Sequence, residues 1–91
     1  MGVDDNAFCA YLGPNIRGVI QRNTIYEGTR DKVLQQLSRE IERYPRIATL
    51  IVSGETFVED RVKAKTPGNY LYEENRRFIS ELKKEGGNHN G

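Results

Sequence analysis

Apolar residues along this 91-residue chain change rhythm several times, and each change predicts an element. Residues 7–12, AFCAYL, are a short apolar and aromatic run of the kind that forms a strand. The loop GPNIRG follows, and then GVIQRNTIYEG, in which Val19, Ile20, Thr24 and Ile25 flank Gln21, Arg22 and Asn23. Two β-branched runs around a polar tip predict a hairpin turning near Arg22-Asn23, where asparagine tolerates the left-handed region. From Thr29 the period becomes helical. Val33, Leu34, Leu37, Ile41 and Tyr44 recur on one face. Thr29 is placed to cap this helix, Asp31 lies in the first turn where the dipole favours a carboxylate, and Pro45 stops it.

Residues 47–52, IATLIV, are almost wholly apolar and predict a strand covered on both faces, hence central in the sheet. ETFVEDRVKAK predicts a short helix with Phe57, Val58 and Val62 on one side. Thr66-Pro67 reads as an N-cap followed by a proline at the first helical position. It opens a last helix that turns Leu71, Phe78, Ile79 and Leu82 inward and carries Tyr70 and Tyr72 near its start. The order β-β-β-α-β-α-α predicts an α+β fold. A small antiparallel or mixed sheet, built from the N-terminal strand, the hairpin and the central strand at 47–52, is packed by about three helices. One domain over 1–85 is expected, then a polar, glycine-rich flexible tail at 86–91.

Composition narrows the partners. A net charge of +1 gives no global field for nucleic acid or membrane, so neither is expected as a partner. No apolar run approaches the roughly 20 residues of a membrane span. The start, MGVDDNAF, lacks the basic-then-apolar plan of a signal peptide. The lone Cys9 makes no intrachain disulfide, which fits a reducing compartment, and a cytoplasmic location is expected. With Phe8 and Ala10 beside it, Cys9 reads as a small buried side chain rather than a reactive thiol. A chain this short buries only about 60–65% of its unfolded surface, and self-association would help so thin a core.

Candidate chemistry is reached by elimination. The only histidine, His89, lies in the expected tail, which removes Ser-His-Asp, Cys-His and H-E-x-x-H arrangements. One cysteine excludes a Cys-rich zinc site, no GxxxxGK[ST] loop occurs, and Gly13 and Gly18 do not form GxGxxG. A carboxylate-based hydrolase is formally open, yet Glu40, Glu42 and Glu59 sit beside basic residues at the spacing of a solvated face. No catalytic residue, metal or cofactor is therefore expected.

Binding chemistry is better represented. Arg17 and Arg22 bracket the hairpin's first strand, Asn15 offers amide donors and acceptors, and Gly13 and Gly18 allow backbone N–H groups to approach phosphate oxygens. In KAKTPGNYLY, Lys63 and Lys65 precede a helix start built by Thr66, Gly68 and Asn69, where an anion is favoured. Tyr70 and Tyr72 offer rings for stacking, and Arg76 and Arg77 follow. The expected ligand set is Tyr11, Gly13, Asn15, Arg17, Lys65, Thr66, Gly68, Asn69 and Tyr70. In it Arg17 and Lys65 neutralise phosphate, Asn15 and Asn69 hydrogen-bond, and Tyr11 or Tyr70 stacks. Plainer readings stand beside this one: GPNIRG as a long hairpin connection, TPGN as an ordinary helix start, the tyrosines as interface contacts, and Arg76-Arg77 as solvated surface.

YLGPNI near the start, TIYEG before the first helix, YP before LIV, and then KTPGNYLY give a pattern that resembles short proteins encoded in phages and prophages of Gram-positive bacteria, over about residues 8 to 80. The resemblance implies a viral origin and transfers no site residue. Small folded phage proteins without catalytic residues are often inhibitors of host defence. One kind sequesters nucleotide immune signals, such as cyclic ADP-ribose derivatives or cyclic oligonucleotides, in pockets between subunits. The expected function is thus a non-catalytic homo-oligomer that captures a phosphate-bearing, nucleotide-like signal. The alternative is a protein-interaction module, either a phage structural accessory or an inhibitor docking on a host protein.

Overall fold

Strand β1, Phe8–Tyr11, lies between β2, Ile25–Glu27, and β3, Ile51–Ser53, in a three-stranded antiparallel sheet ordered β2-β1-β3. The structure is a computed structural model that describes residues 7–86. Cys9 pairs with Tyr26 on one side and Ser53 on the other, and Ala10 pairs with Ile25 and Val52. Because side chains alternate along a strand, Cys9 and Tyr11 enter a large core cluster with Val33, Ile47, Leu50 and Phe78. Ala10 and the following Leu12 enter a smaller one with Val52, flanked by Phe57 and Ala64. Both faces of β1 are covered, which is why every position of AFCAYL is apolar. The fold is α+β.

Among the described residues, five helices accompany the sheet. Helix α1, Arg30–Gln36, is capped by Thr29, whose hydroxyl accepts from the Lys32 N–H at 3.4 Å, and Asp31 sits in its first turn. Helix α2, Ser38–Arg43, continues it after a bend at the buried Leu37, where φ is −96° and ψ 18°. The bend does not break the ladder, since Leu37 N–H donates to Val33 O and Ile41 N–H to Leu37 O, both at 2.9 Å. Tyr44 ends the run in extended backbone ahead of Pro45, as the sequence predicts. Helix α4 is Phe57–Ala64 and helix α5 is Tyr70–Gly86.

The stretch 47–52 departs from expectation. Pro45 both stops α2 and, with φ −57° and ψ −25°, starts a new turn, α3, Arg46–Thr49. Only residues 51–53 are strand, and β3 lies at the sheet's edge while β1 is central. A short apolar run is equally compatible with a buried helical turn and a strand; here it is one and then the other. Arg30 pins the junction, its Nε donating to Ile51 O at 3.0 Å and its Nη2 to Ala48 O at 2.7 Å.

Four further expectations are corrected. The hairpin does not fold back on itself at Arg22-Asn23. Instead Ile16 and Ile20 close a tight turn, and the whole of 12–24 connects β1 to β2, so GPNIRG is part of a long hairpin connection. Asn23 does adopt the left-handed conformation, with φ 68°, and its N–H donates to Tyr11 O at 2.7 Å. On α4 only Phe57 turns inward, edge-on to Phe8, while Val58 is 74% and Val62 63% exposed. Helix α5 begins at Tyr70 rather than after Thr66. Asn69 caps it, accepting from the Leu71 N–H at 3.1 Å, and Gly68 turns the chain with φ 91°. Gly86, placed in the expected tail, is the last residue of α5, and His89 lies outside the described residues.

An ion-pair cluster fastens α5 to α3. Arg46 reaches Glu74 at 2.8 Å and Glu81 at 3.0 Å, and Arg77 reaches Glu74 from its own helix at 3.6 Å. Glu74 is nearly buried, and Arg46 and Arg77 are its ion-pair partners there. The hydrogen bond from Arg46 holds the Glu81 carboxyl below its ordinary value and the Arg46 guanidinium above its own.

Candidate functional site

The two segments singled out in the sequence meet a groove, but largely through residues outside the expected set. Leu12, Arg22 and Asn23 from the β1–β2 connection, Arg61, Ala64 and Lys65 from α4 and its end, and Tyr72, Asn75, Arg76 and Ile79 from α5 enclose about 570 Å³. Helical spacing explains the α4 and α5 walls. Arg61 and Lys65 are four apart, as are Tyr72 and Arg76, and Asn75 and Ile79, so each pair shares a face. The groove size lies inside the range of small-molecule sites.

Four of the chain's 14 cations stand around this one cavity, and its lining holds no carboxylate. Arg76 is partly offset by Glu73 at 3.4 Å. Arg22, Arg61 and Lys65 have no carboxylate within ion-pair distance among the described residues. Arg61 lies over the Phe57 ring, 5.5 Å from its centre. Arg22 is held by neutral acceptors: Nε donates to Gly13 O at 2.9 Å, Nη2 to Asn75 Oδ1 at 3.4 Å, and its backbone N–H to Asn15 Oδ1 at 2.7 Å. Asn75, only 7% exposed, in turn donates from Nδ2 to Leu12 O at 2.8 Å.

Of the expected set, Lys65 alone lines the groove. Gly13 and Asn15 reach it indirectly, as the acceptors that fix Arg22. Arg17 is exposed in the Ile16–Ile20 turn, away from the lining. Tyr11 is removed from any stacking role: its ring is fully buried and its hydroxyl donates to Pro14 O at 2.8 Å. Burial raises its pKa well above the ordinary tyrosine range, with the nearby Arg22 pulling the other way. Gly13 lacks a side chain for packing reasons, since a Cβ there would meet the Tyr11 ring. Thr66 does not cap α5; its hydroxyl donates to Val62 O at 2.7 Å and closes α4. Gly68 and Tyr70 are exposed and Asn69 serves as the cap, all three outside the lining.

Of the groove's polar residues, sequence reasoning left out Arg61 and Asn75, and noted Arg22, Tyr72 and Arg76 without selecting them. The available signal was the i, i+4 pairing of cations and polar groups on two consecutive helices. Cys9 is buried as expected, its thiol raised by desolvation and donating to Gly28 O at 3.8 Å. Burial and the neighbouring Glu40 raise the Tyr26 phenol, which packs against the core. Among the described residues no cluster of His, Cys, Asp and Glu is arranged to hold a metal, and no helix is long and apolar enough to cross a membrane.

What this arrangement can do is hold an anion beside a phenol ring and a small apolar patch from Leu12, Ala64 and Ile79. Compared with known proteins, the chain matches no family model, no curated protein and no solved structure.

Proposed function

We propose that the protein is a non-catalytic binder that captures a phosphate-bearing, nucleotide-like signalling molecule in this groove, and so blunts bacterial defence in the manner its resemblance to phage proteins implies. The observation that carries the reading is the convergence of Arg22, Arg61, Lys65 and Arg76 on one cavity lined by no carboxylate. A phosphate about 4 Å from one cation gains about 1 kcal/mol in water and about 4 kcal/mol at an effective dielectric of ~20. Cations sharing a groove lie within or near the ~8 Å screening length of physiological salt and act together. Tyr72 offers a ring face to a base, and the lining supplies no imidazole, thiol or carboxylate to transform what it holds.

The test is a thermal-shift panel of ADP-ribose-type and cyclic nucleotides. Ligand at 100 times Kd adds about 2.7 kcal/mol, which for a domain this size raises Tm by about 10–20 °C. A panel in which nothing moves Tm, together with no small molecule released on heating the purified protein, removes the reading. The protein-interaction alternative draws on Val58, Val62 and Tyr70, the last 64% exposed, which a second copy of the chain or a host protein would cover. Sedimentation of wild type and Val62→Asp distinguishes self-association from a monomer, since only an oligomer built on that face dissociates.

A further inference from the structure

The cations of the groove are not equivalent. Arg22 is the fixed one. Gly13 O and Asn75 Oδ1 take its Nε and Nη2 protons, and Asn75 is itself anchored to Leu12 O. These acceptors are neutral, so they orient the guanidinium without cancelling its charge, and Nη1 has no partner among the described residues. Such an arm loses little side-chain freedom on binding. Arg61 and Lys65 form a second centre on a different wall. Arg61 lies in the last turn of α4 and Lys65 is the residue that ends it, four positions on, and neither is offset by a carboxylate among the described residues.

Between the two centres lies a cavity of about 570 Å³, the room of roughly 19 water molecules at about 30 Å³ apiece. A single phosphate fills a small part of that. It engages one centre and leaves the other facing water, with the mutual repulsion of the unoccupied cations unrelieved. Two linked anionic groups engage both.

Resting on the groove reading above, we infer that the groove selects ligands with a diphosphate or two linked phosphates over ligands with one. Arg22 presents Nη1 to the first anionic group, while Arg61 and Lys65 take the second. The amide of Asn75 acts as a positioning group for Arg22, and Tyr72 and Ile79 are left for the uncharged part of the ligand.

Isothermal titration at about 0.15 M salt with inorganic phosphate, pyrophosphate, AMP and ADP tests this. The expected result is pyrophosphate over phosphate, and ADP over AMP, each by tenfold or more. Arg22→Lys keeps the charge but gives up the two-point anchor, and Arg61→Ala/Lys65→Ala empties the other wall on an exposed helix face. Each variant should weaken ADP more than AMP, bringing the two to within threefold of each other, with the folded circular-dichroism spectrum retained at the assay temperature. Wild-type ADP and AMP affinities within threefold of each other would overturn the inference and leave the groove reading standing. An ADP preference that survives both variants would overturn it equally. No binding of any of the four probes would remove the groove reading and this inference together. Tighter binding of a single-stranded oligonucleotide than of ADP, falling steeply with salt, would assign the groove to nucleic acid instead.

Discussion

Gly13→Ala adds one methyl group at a turn packed against the Tyr11 ring. The new Cβ would lie 2.5 Å from Tyr11 Cζ and 2.7 Å from Cε1, where carbon atoms prefer about 3.5–4.0 Å. Gly13 is not among the residues with positive φ, so the clash is steric and not a matter of backbone conformation. The ring has nowhere to go, being fully buried, and its hydroxyl is bonded to Pro14 O. Overpacking of this kind costs about 1–3 kcal/mol. A displacement that also strips the buried phenol of its acceptor costs about 1–3 kcal/mol more. The expected loss is thus about 2–6 kcal/mol, a large share of the roughly 5–14 kcal/mol available to a chain of this length. Urea unfolding followed by circular dichroism measures it, and Tm should fall by at least about 8 °C. Gly18→Ala is the control: φ is +76° there but nothing lies within 4 Å of the new Cβ, so only the left-handed cost of about 1–2 kcal/mol applies. In the double variant with Tyr11→Leu the two losses should be strongly non-additive, because the atoms that clash are gone. A Gly13→Ala protein within 0.5 kcal/mol of wild type, or no worse than Gly18→Ala, refutes the packing account, on the ~0.5 kcal/mol scale of neutral surface changes.

Arg46→Ala strands Glu74 in a nearly buried site with only Arg77 at 3.6 Å. Removing one partner of a fully buried pair costs about 3–5 kcal/mol; with Arg46 partly exposed, a loss of about 1.5–3 kcal/mol is expected by urea unfolding, and Glu74→Gln in the same background should restore part of it. The Glu81 carboxyl is held below its ordinary value of 4.5 in the folded state by Arg46. Its contribution is therefore complete above that value and fades as pH falls through the depressed folded pKa. Urea midpoints of wild type and Glu81→Gln should converge on acidification below about pH 4.5, and a constant gap between them across that window contradicts the assignment. Phe78→Ala, which empties a core position packed on Tyr44, should cost about 3–5 kcal/mol in the same assay. Asn69→Ala removes the α5 cap and should cost about 1 kcal/mol, while Thr66→Ala leaves that helix start untouched.

Features decided within a few residues were readable from the sequence. The Thr29 cap, the halt before Pro45, the left-handed Asn23 and the buried Cys9 each follow from local chemistry, and the α+β class follows from their sum. Features decided by what lies opposite were not. Residues 47–52 carry no mark of where a helical turn gives way to a strand. Nor does KAKTPGN show that Thr66 closes one helix while Asn69 opens the next. Val58 and Val62 look like core by type and face outward by position. The groove was least legible of all: Arg22 and Asn75, 53 residues apart, meet only because Leu12 O anchors the asparagine. Lys65 was selected for a helix start that in fact lies at Tyr70, and Arg17 for the glycines near it in the sequence.

The central place of β1 has a consequence for how the chain assembles during synthesis. Of the three strands, β1 is synthesised before the two that pair with it. Its pairing with β2 closes over residues 12–24, but Tyr11 meets Ile51 forty residues later. Until that segment has emerged, the second edge of β1 and the underside formed by Ala10 and Leu12 stay uncovered. Non-local pairing of this kind delays folding in proportion to the chain that must first be searched. A nascent chain stopped at residue 45 should therefore remain sensitive to protease throughout, whereas the released full-length chain, with α5 complete, should acquire protection in a single step.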